Sequence, residues 1–279
     1  MTPVIVAVAP TGASKTKADH PALPVTAEEI AACARACRDA GAAMIHLHVR
    51  DREGRHTLDV DAYREATAAI RRAVGDGLII QATTEAVGVY GPEAQMALVR
   101  ALRPEAVSLA IREILPPGRD ERDAAAFLAW LAAERIVPQY ILYSAEDLAR
   151  FRELRSRGVI PGSRPFALFV LGRYTVGQES DPRDLLPFLA SPDQTEEMEW
   201  AVCAFGRREA ACVLTAAALG GHVRVGFENN LLLADGRRAA DNAAIVAQIV
   251  DGLRLIGRPL ADAAGARALL GGSGGTSPP

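Results

Sequence analysis

The chain has 279 residues, 49% of them hydrophobic and 23% charged, with a formal net charge of −3. That is an ordinary globular composition, and its near-neutral charge gives no reason to expect nucleic acid or an anionic membrane as partner. No apolar run approaches the ~20 residues that a bilayer-crossing helix needs.

The first segment, 3–9, is apolar and lacks a basic leader, so it reads as a first strand and not as a signal peptide. Thr26, followed by Glu28 and Glu29, then opens a helix over 26–40 that Gly41 ends. A strand at 43–49 and a helix at 59–74 follow, then 78–83 and 91–102, and 106–110 and 120–134. The strand at 136–142 leads to a helix at 145–157, opened by Ser144 and closed by Gly158. Strands at 166–171, 198–204 and 222–228 precede helices at 181–190, 207–219 and 239–256. Eight strand–helix units in one chain predict a (β/α)8 TIM barrel occupying 1–270 as a single domain. A doubly wound sheet also alternates, but its glycine fingerprint is absent from the first turn, Ala9-Pro10-Thr11-Gly12-Ala13-Ser14. The Gly/Ser/Pro-rich stretch 271–279 reads as a disordered tail. Cys33, Cys37, Cys203 and Cys212 lie in apolar segments without metal-site spacing, as reduced core thiols of a cytoplasmic protein would.

Chemistry concentrates at the end of the second strand, Ile45-His46-Leu47-His48-Val49-Arg50. Residues two apart on a strand face the same way, so His46 and His48 share a face. Such a pair holds a transition metal, or is simply a pair of cleft histidines satisfied by hydrogen bonds. The second and eighth strands of a barrel contribute to one interior layer. Along the eighth strand Arg224, Gly226 and Glu228 share a face by the same period, so Glu228 offers a third ligand. Two histidines and a glutamate suit zinc with an open coordination position, and equally a non-haem iron centre. The plain alternatives are a surface carboxylate at Glu228 and a structural ion pair from Arg224 to it.

Four motifs together carry a family resemblance: Thr11-Gly12-Ala13; His46-Leu47-His48-Val49-Arg50; the threonine-rich Thr83-Thr84; and Gly220-Gly221-His222-Val223-Arg224-Val225-Gly226-Phe227-Glu228-Asn229-Asn230. The chain resembles the β-keto acid cleavage enzymes, which include the 3-keto-5-aminohexanoate cleavage enzyme, over about 3–269. The resemblance implies a homotetrameric barrel with Zn²⁺ on His46, His48 and Glu228. It also implies a transferase reaction: a β-keto acid and acetyl-CoA give acetoacetate and a new acyl-CoA by retro-Claisen C–C cleavage. Arg224 matches the family's catalytic arginine. Thr83 (or Thr84) and Ser108 stand for its hydroxyls at the ends of the third and fourth strands.

The chain also departs from the pattern. The family's proposed base, an aspartate after the eighth strand, is Asn229 here, and an amide cannot accept a proton at neutral pH. Glu85, in the loop after the third strand, is the replacement candidate; otherwise it is a solvated loop carboxylate. On the fifth strand Ile141 stands where the family holds a carboxylate near the substrate's amino group, so a neutral or apolar β-keto acid is expected. Arg112 and Glu113 could modify that by admitting a second carboxylate. Ser14 replaces an acidic residue of the first loop and is followed by Lys15 and Lys17, which either shape the mouth or are solvated. Arg173, Arg207 and Arg208 begin the late βα loops, where CoA phosphates would bind. Two other readings remain: a metal-dependent hydrolase or lyase on the same barrel, and a metal-free binding protein.

Overall fold

In the computed structural model, which describes residues 2–118, 120–190 and 197–271, the predicted barrel is closed. Its strands are β1 (Val6–Val8), β2 (Met44–Leu47), β5 (Ile79–Thr83), β6 (Ala106–Ala110), β7 (Val137–Leu142), β8 (Phe166–Leu171), β9 (Glu199–Ala204) and β10 (His222–Val225). All neighbours pair in parallel, and β1 closes the ring between β2 and β10. A two-stranded ribbon, β3 (Val49–Arg50) with β4 (His56–Thr57), stands outside the ring.

The helices are α1 (Ala27–Asp39), α2 (Val60–Val74), α3 (Pro92–Leu102), α4 (Ile111–Ile114), α5 (Arg122–Ala133), α6 (Ala145–Ser156), α7 (Glu209–Ala218), α8 (Asn242–Leu255) and α9 (Ala263–Gly271). Local chemistry sets several ends. Thr26 and Glu29 cap α1 reciprocally, and the Ser144 hydroxyl accepts from Asp147 N at the start of α6. The segment expected as a helix over 181–190 is instead 3-10 over Pro182–Leu189, because Pro187 has no N–H to give an α-helical bond. The ribbon, α4 and α9 were not anticipated. The expected tail lies outside the described residues except Gly271, which ends α9.

Two apolar layers result. Outward-facing strand residues such as Val6, Ile45, Val107 and Val202 pack under the helices, while inward-facing Ile5, Met44, Ile79, Phe166 and Leu168 fill the barrel interior together with Ala266 and Leu270 of α9. The interior turns polar toward the C-terminal ends of the strands, with His46, Gln81, Ser108, Gln139 and Arg224 all buried. That change of polarity places the site at the C-terminal mouth.

Candidate functional site

The two histidines and Glu228 meet, though not wholly by strand periodicity. β2 ends at Leu47 and β10 at Val225, so His48 is the link between β2 and β3, and Glu228 lies on the turn after β10. At Gly226 the backbone takes φ +130° and comes so close to the first loop that an added Cβ would lie 2.6 Å from Ala9 O. Glu228 N then donates to that same carbonyl at 3.0 Å. The carboxylate thereby comes within reach of both histidines.

Hydrogen bonds fix which nitrogen each imidazole turns inward. Gln81 Nε2 donates to Gln139 Oε1 at 3.1 Å, so Gln81 Oε1 accepts from His46 Nδ1 at 2.7 Å. His56 Nε2 donates to Glu85 O at 3.0 Å, which leaves His56 Nδ1 to accept from His48 Nδ1 at 3.5 Å. Both Nε2 atoms therefore carry lone pairs, 3.1 Å apart. Burial, then Arg224, pushes His46 down to about 3, so it is a neutral imidazole at working pH. Glu228 Oε2 lies 3.1 Å from His48 Nε2 and 3.6 Å from His46 Nε2, buried with no hydrogen bond of its own. Burial alone would raise the Glu228 carboxyl, but the Arg224 guanidinium beside it holds it well below the usual range. Three anionic or lone-pair donors facing one point need a cation. Ligands ~2.0–2.2 Å from a shared tetrahedral ion are roughly 3.3–3.6 Å apart, close to the separations here. The donor set fits a divalent transition metal.

Arg224 is buried beside this centre. Its Nη2 donates to Glu228 Oε1 (2.9 Å) and Cys203 Sγ (3.2 Å), while Nε and Nη1 are buried without partners among the described residues. A small cavity opens above, with His46, Glu228 and Arg224 in its lining. Thr83, Thr84 and Ser108 form one side, and the Ser108 hydroxyl reaches Thr83 Oγ1 at 3.5 Å. Thr84 is committed to the backbone through Ser108 O. Glu85 also lines the cavity, with Oε2 3.8 Å from His48 Nε2 and Oε1 3.7 Å from Arg173 Nη2. Ile141, Tyr143, Val170 and Phe205 supply an apolar wall that also carries Glu113 and Arg173.

Other predicted residues fall elsewhere. Asn229 is buried, both amide atoms lack partners, and it is absent from the cavity lining. Arg208 is paired with Asp181, and neither it nor exposed Arg207 lines the cavity. Arg112 is turned to Asp147 at 2.5 Å and stacks over Tyr143. Lys17 pairs with Glu29 on the surface, whereas Lys15 reaches inward, its Nζ donating to Glu228 O at 2.7 Å.

Sequence reasoning overlooked Gln81, Gln139, His56, Arg50 and Glu209. His56, a third histidine within ten residues of the pair, was the one with a visible signal. Arg50 ties the first loop down through Gly12 O (2.6 Å) and Lys15 O (3.0 Å). Buried Glu209 holds the 226–230 turn by accepting from Gly226 N and Asn230 Nδ2, and burial pushes its carboxyl up to about 8.

Comparison with known proteins shows the family. The beta-keto acid cleavage enzyme family model matches residues 3–271. A 3-keto-5-aminohexanoate cleavage enzyme of Acetoanaerobium sticklandii is 32% identical over 97% of this chain and 99% of its own. A 3-oxoadipate:acetyl-CoA acetyltransferase of Cupriavidus necator is 31% identical over 96% and 95%. Among solved structures, the ternary complex of ObcA with a C4-CoA adduct and oxalate superposes with a TM-score of 0.71 at 17% identity, covering 90% of this chain and 68% of that one, a likeness of fold. The chain belongs to the beta-keto acid cleavage enzyme family, and it is an enzyme whose class of chemistry is acyl transfer.

Proposed function

We propose that the enzyme condenses a β-keto acid with acetyl-CoA, giving acetoacetate and a new acyl-CoA, and that the ion held by His46, His48 and Glu228 is Zn²⁺. The observation that carries this reading is the convergence of two imidazole lone pairs and a buried, unpartnered carboxylate oxygen on one point of the cavity floor. A divalent cation bound there supplies Lewis-acid polarisation of the keto and carboxylate oxygens, which acidifies the C2 proton.

The chain's own groups do the rest. The unpartnered Nε and Nη1 of Arg224 hold the substrate carboxylate or its enolate oxygen. Glu85 takes the C2 proton, and Thr83 and Ser108 orient the carbonyl groups through their hydroxyls. The C2 carbanion attacks the acetyl thioester, and CoA thiolate leaves. That thiolate then attacks the original keto carbon, the C2–C3 bond breaks, and Glu85 returns the proton to the released acetoacetate. Arg173, on the cavity wall, is the CoA-facing cation closest to the chemistry, with Arg207 and Arg208 toward solvent. The apolar wall and Ile141 favour a neutral or apolar substrate over an amino-substituted one. A homotetramer in the cytoplasm and one catalytic domain over 1–270 complete the reading.

The test is acetoacetate production from β-keto acids with and without acetyl-CoA, on enzyme with measured metal content. CoA-dependent acetoacetate is expected, together with loss of activity on chelation and its return with Zn²⁺. Acetoacetate-free turnover without CoA would favour a hydrolase or lyase, and full activity in metal-free protein would overturn the metal assignment.

A further inference from the structure

Of the three carboxyls lining the cavity, Glu113 is the one that makes no close ion pair among the described residues; Arg112 and Arg173 act on it only at longer range. It sits on α4, directly after β6. Ser108 and Ala110 of that strand both face the cavity, and Glu113 follows above them on its wall. α4 follows the C-terminal end of β6, so Glu113 lines the cavity beyond the strand end, away from the floor where Arg224 grips the substrate. The neighbouring Arg112 is spent on Asp147, and Arg173 lies against Glu85. Glu113 accepts one hydrogen bond, from Ala86 N to Oε2 at 3.2 Å; Oε1 has no partner among the described residues. Burial, with Glu85 adding to it, pushes this carboxyl up to about 7. Near neutrality it is therefore a group that both donates and accepts, and not a fixed counter-charge.

Resting on the reading of the cavity as a β-keto acid site, we propose that Glu113 sets its specificity: the substrate is a neutral β-keto acid whose far end carries a hydroxyl, hydrogen-bonded to the Glu113 carboxyl. A methyl group there would leave a half-buried carboxyl without its partner. A second carboxylate would face Glu85 and Glu113 with Arg173 alone to offset them. An ammonium would be drawn to Glu85 and Glu113, but it would require the half-buried Glu113 carboxyl to ionise and would sit against Arg173.

The experiment uses a six-carbon set differing at the last carbon: 6-hydroxy-3-ketohexanoate, 3-ketohexanoate and 3-ketoadipate. Binding to Zn²⁺-loaded enzyme is measured by calorimetry without acetyl-CoA, and kcat/KM with it. The hydroxylated acid should bind at least ~10-fold tighter than either other, about 1.4 kcal/mol. Glu113→Leu should collapse that ratio toward one, and Glu113→Gln, which still donates and accepts, should keep most of it. Equal or tighter binding of 3-ketohexanoate or 3-ketoadipate to the parent overturns the proposal, as does an undiminished ratio in Glu113→Leu. Should the leucine variant not fold, Glu113→Ala takes its place. Selective binding of the hydroxylated acid without any CoA-dependent turnover would refute the proposed reaction and leave this specificity standing; no binding of any of the three refutes both.

Discussion

In the proposed reaction the amide of Asn229 cannot take the C2 proton, so another side chain must. Glu85 has the position for it, on the cavity wall with a carboxylate oxygen 3.8 Å from His48 Nε2. Glu85→Gln keeps the shape and removes the basic oxygen. It should lower kcat by ~10²-fold or more, the usual range for a lost general base. Asn229→Asp should retain or raise kcat, since the buried amide it replaces makes no hydrogen bond that would be forfeited. Both are read as kcat at saturating acetyl-CoA with zinc content checked. A near-parent kcat for Glu85→Gln would make that carboxylate a bystander. His46, His48, Arg224 and Glu228 were legible because motif spacing puts the two histidines at the end of one strand and Arg224 and Glu228 at the end of another, and the barrel brings those two ends together. Gln81, Gln139 and His56 were not, because their role is to choose which imidazole nitrogen bears a proton. That role exists only once three separate segments are packed together.

Among elements, the strands were the easy part: inward and outward faces are both buried in a parallel barrel, so each strand is a continuous apolar run. Short pieces such as α4 and the β3–β4 ribbon escaped because four or fewer residues carry no periodicity to detect. The turn after β10 escaped for a different reason. Its geometry depends on contact with the first loop, remote in sequence. Gly12 shows that dependence most sharply: it has φ +66°, and an added Cβ would lie 2.7 Å from Glu228 Cγ and 3.2 Å from Glu228 Cα. The last of these is backbone and cannot rotate away. Gly12→Ala should therefore displace Glu228, weakening metal binding at least ~10-fold with a matching loss of activity. Titration of the metal-free variant with Zn²⁺ in a competing chelator reads this directly. Parent-like affinity would mean that the first loop yields and does not position the ligand.

At the scale of the whole molecule the barrel divides its interior between stability and chemistry. The C-terminal half of the interior is polar and holds the site; the N-terminal half is apolar and must be closed against water. α9 performs that closure. Its Ala266 and Leu270 belong to the same buried cluster as Ile5, Met44, Ile79 and Phe166. Arg267 of the same helix fastens the outside, with Nε 2.5 Å from Glu105 Oε1 and Nη1 donating to Asp76 O at 2.8 Å. Glu105 also takes Arg71 Nη2 at 2.6 Å, so one carboxylate ties α9 to α2. These ion pairs are about one-third exposed and worth little by themselves; the apolar seal is the larger effect. Leu270 is 2% exposed, so Leu270→Ala removes buried methyl groups and leaves a cavity, at a cost of ~2–5 kcal/mol. The site lies at the opposite end of the barrel, so the loss should appear in the urea midpoint at unchanged m-value, with kcat/KM and zinc content near those of the parent at low temperature. A variant with parent stability would show that α9 merely rests on the barrel floor. A variant that stays stable but loses zinc would show instead that the two ends of the interior are coupled.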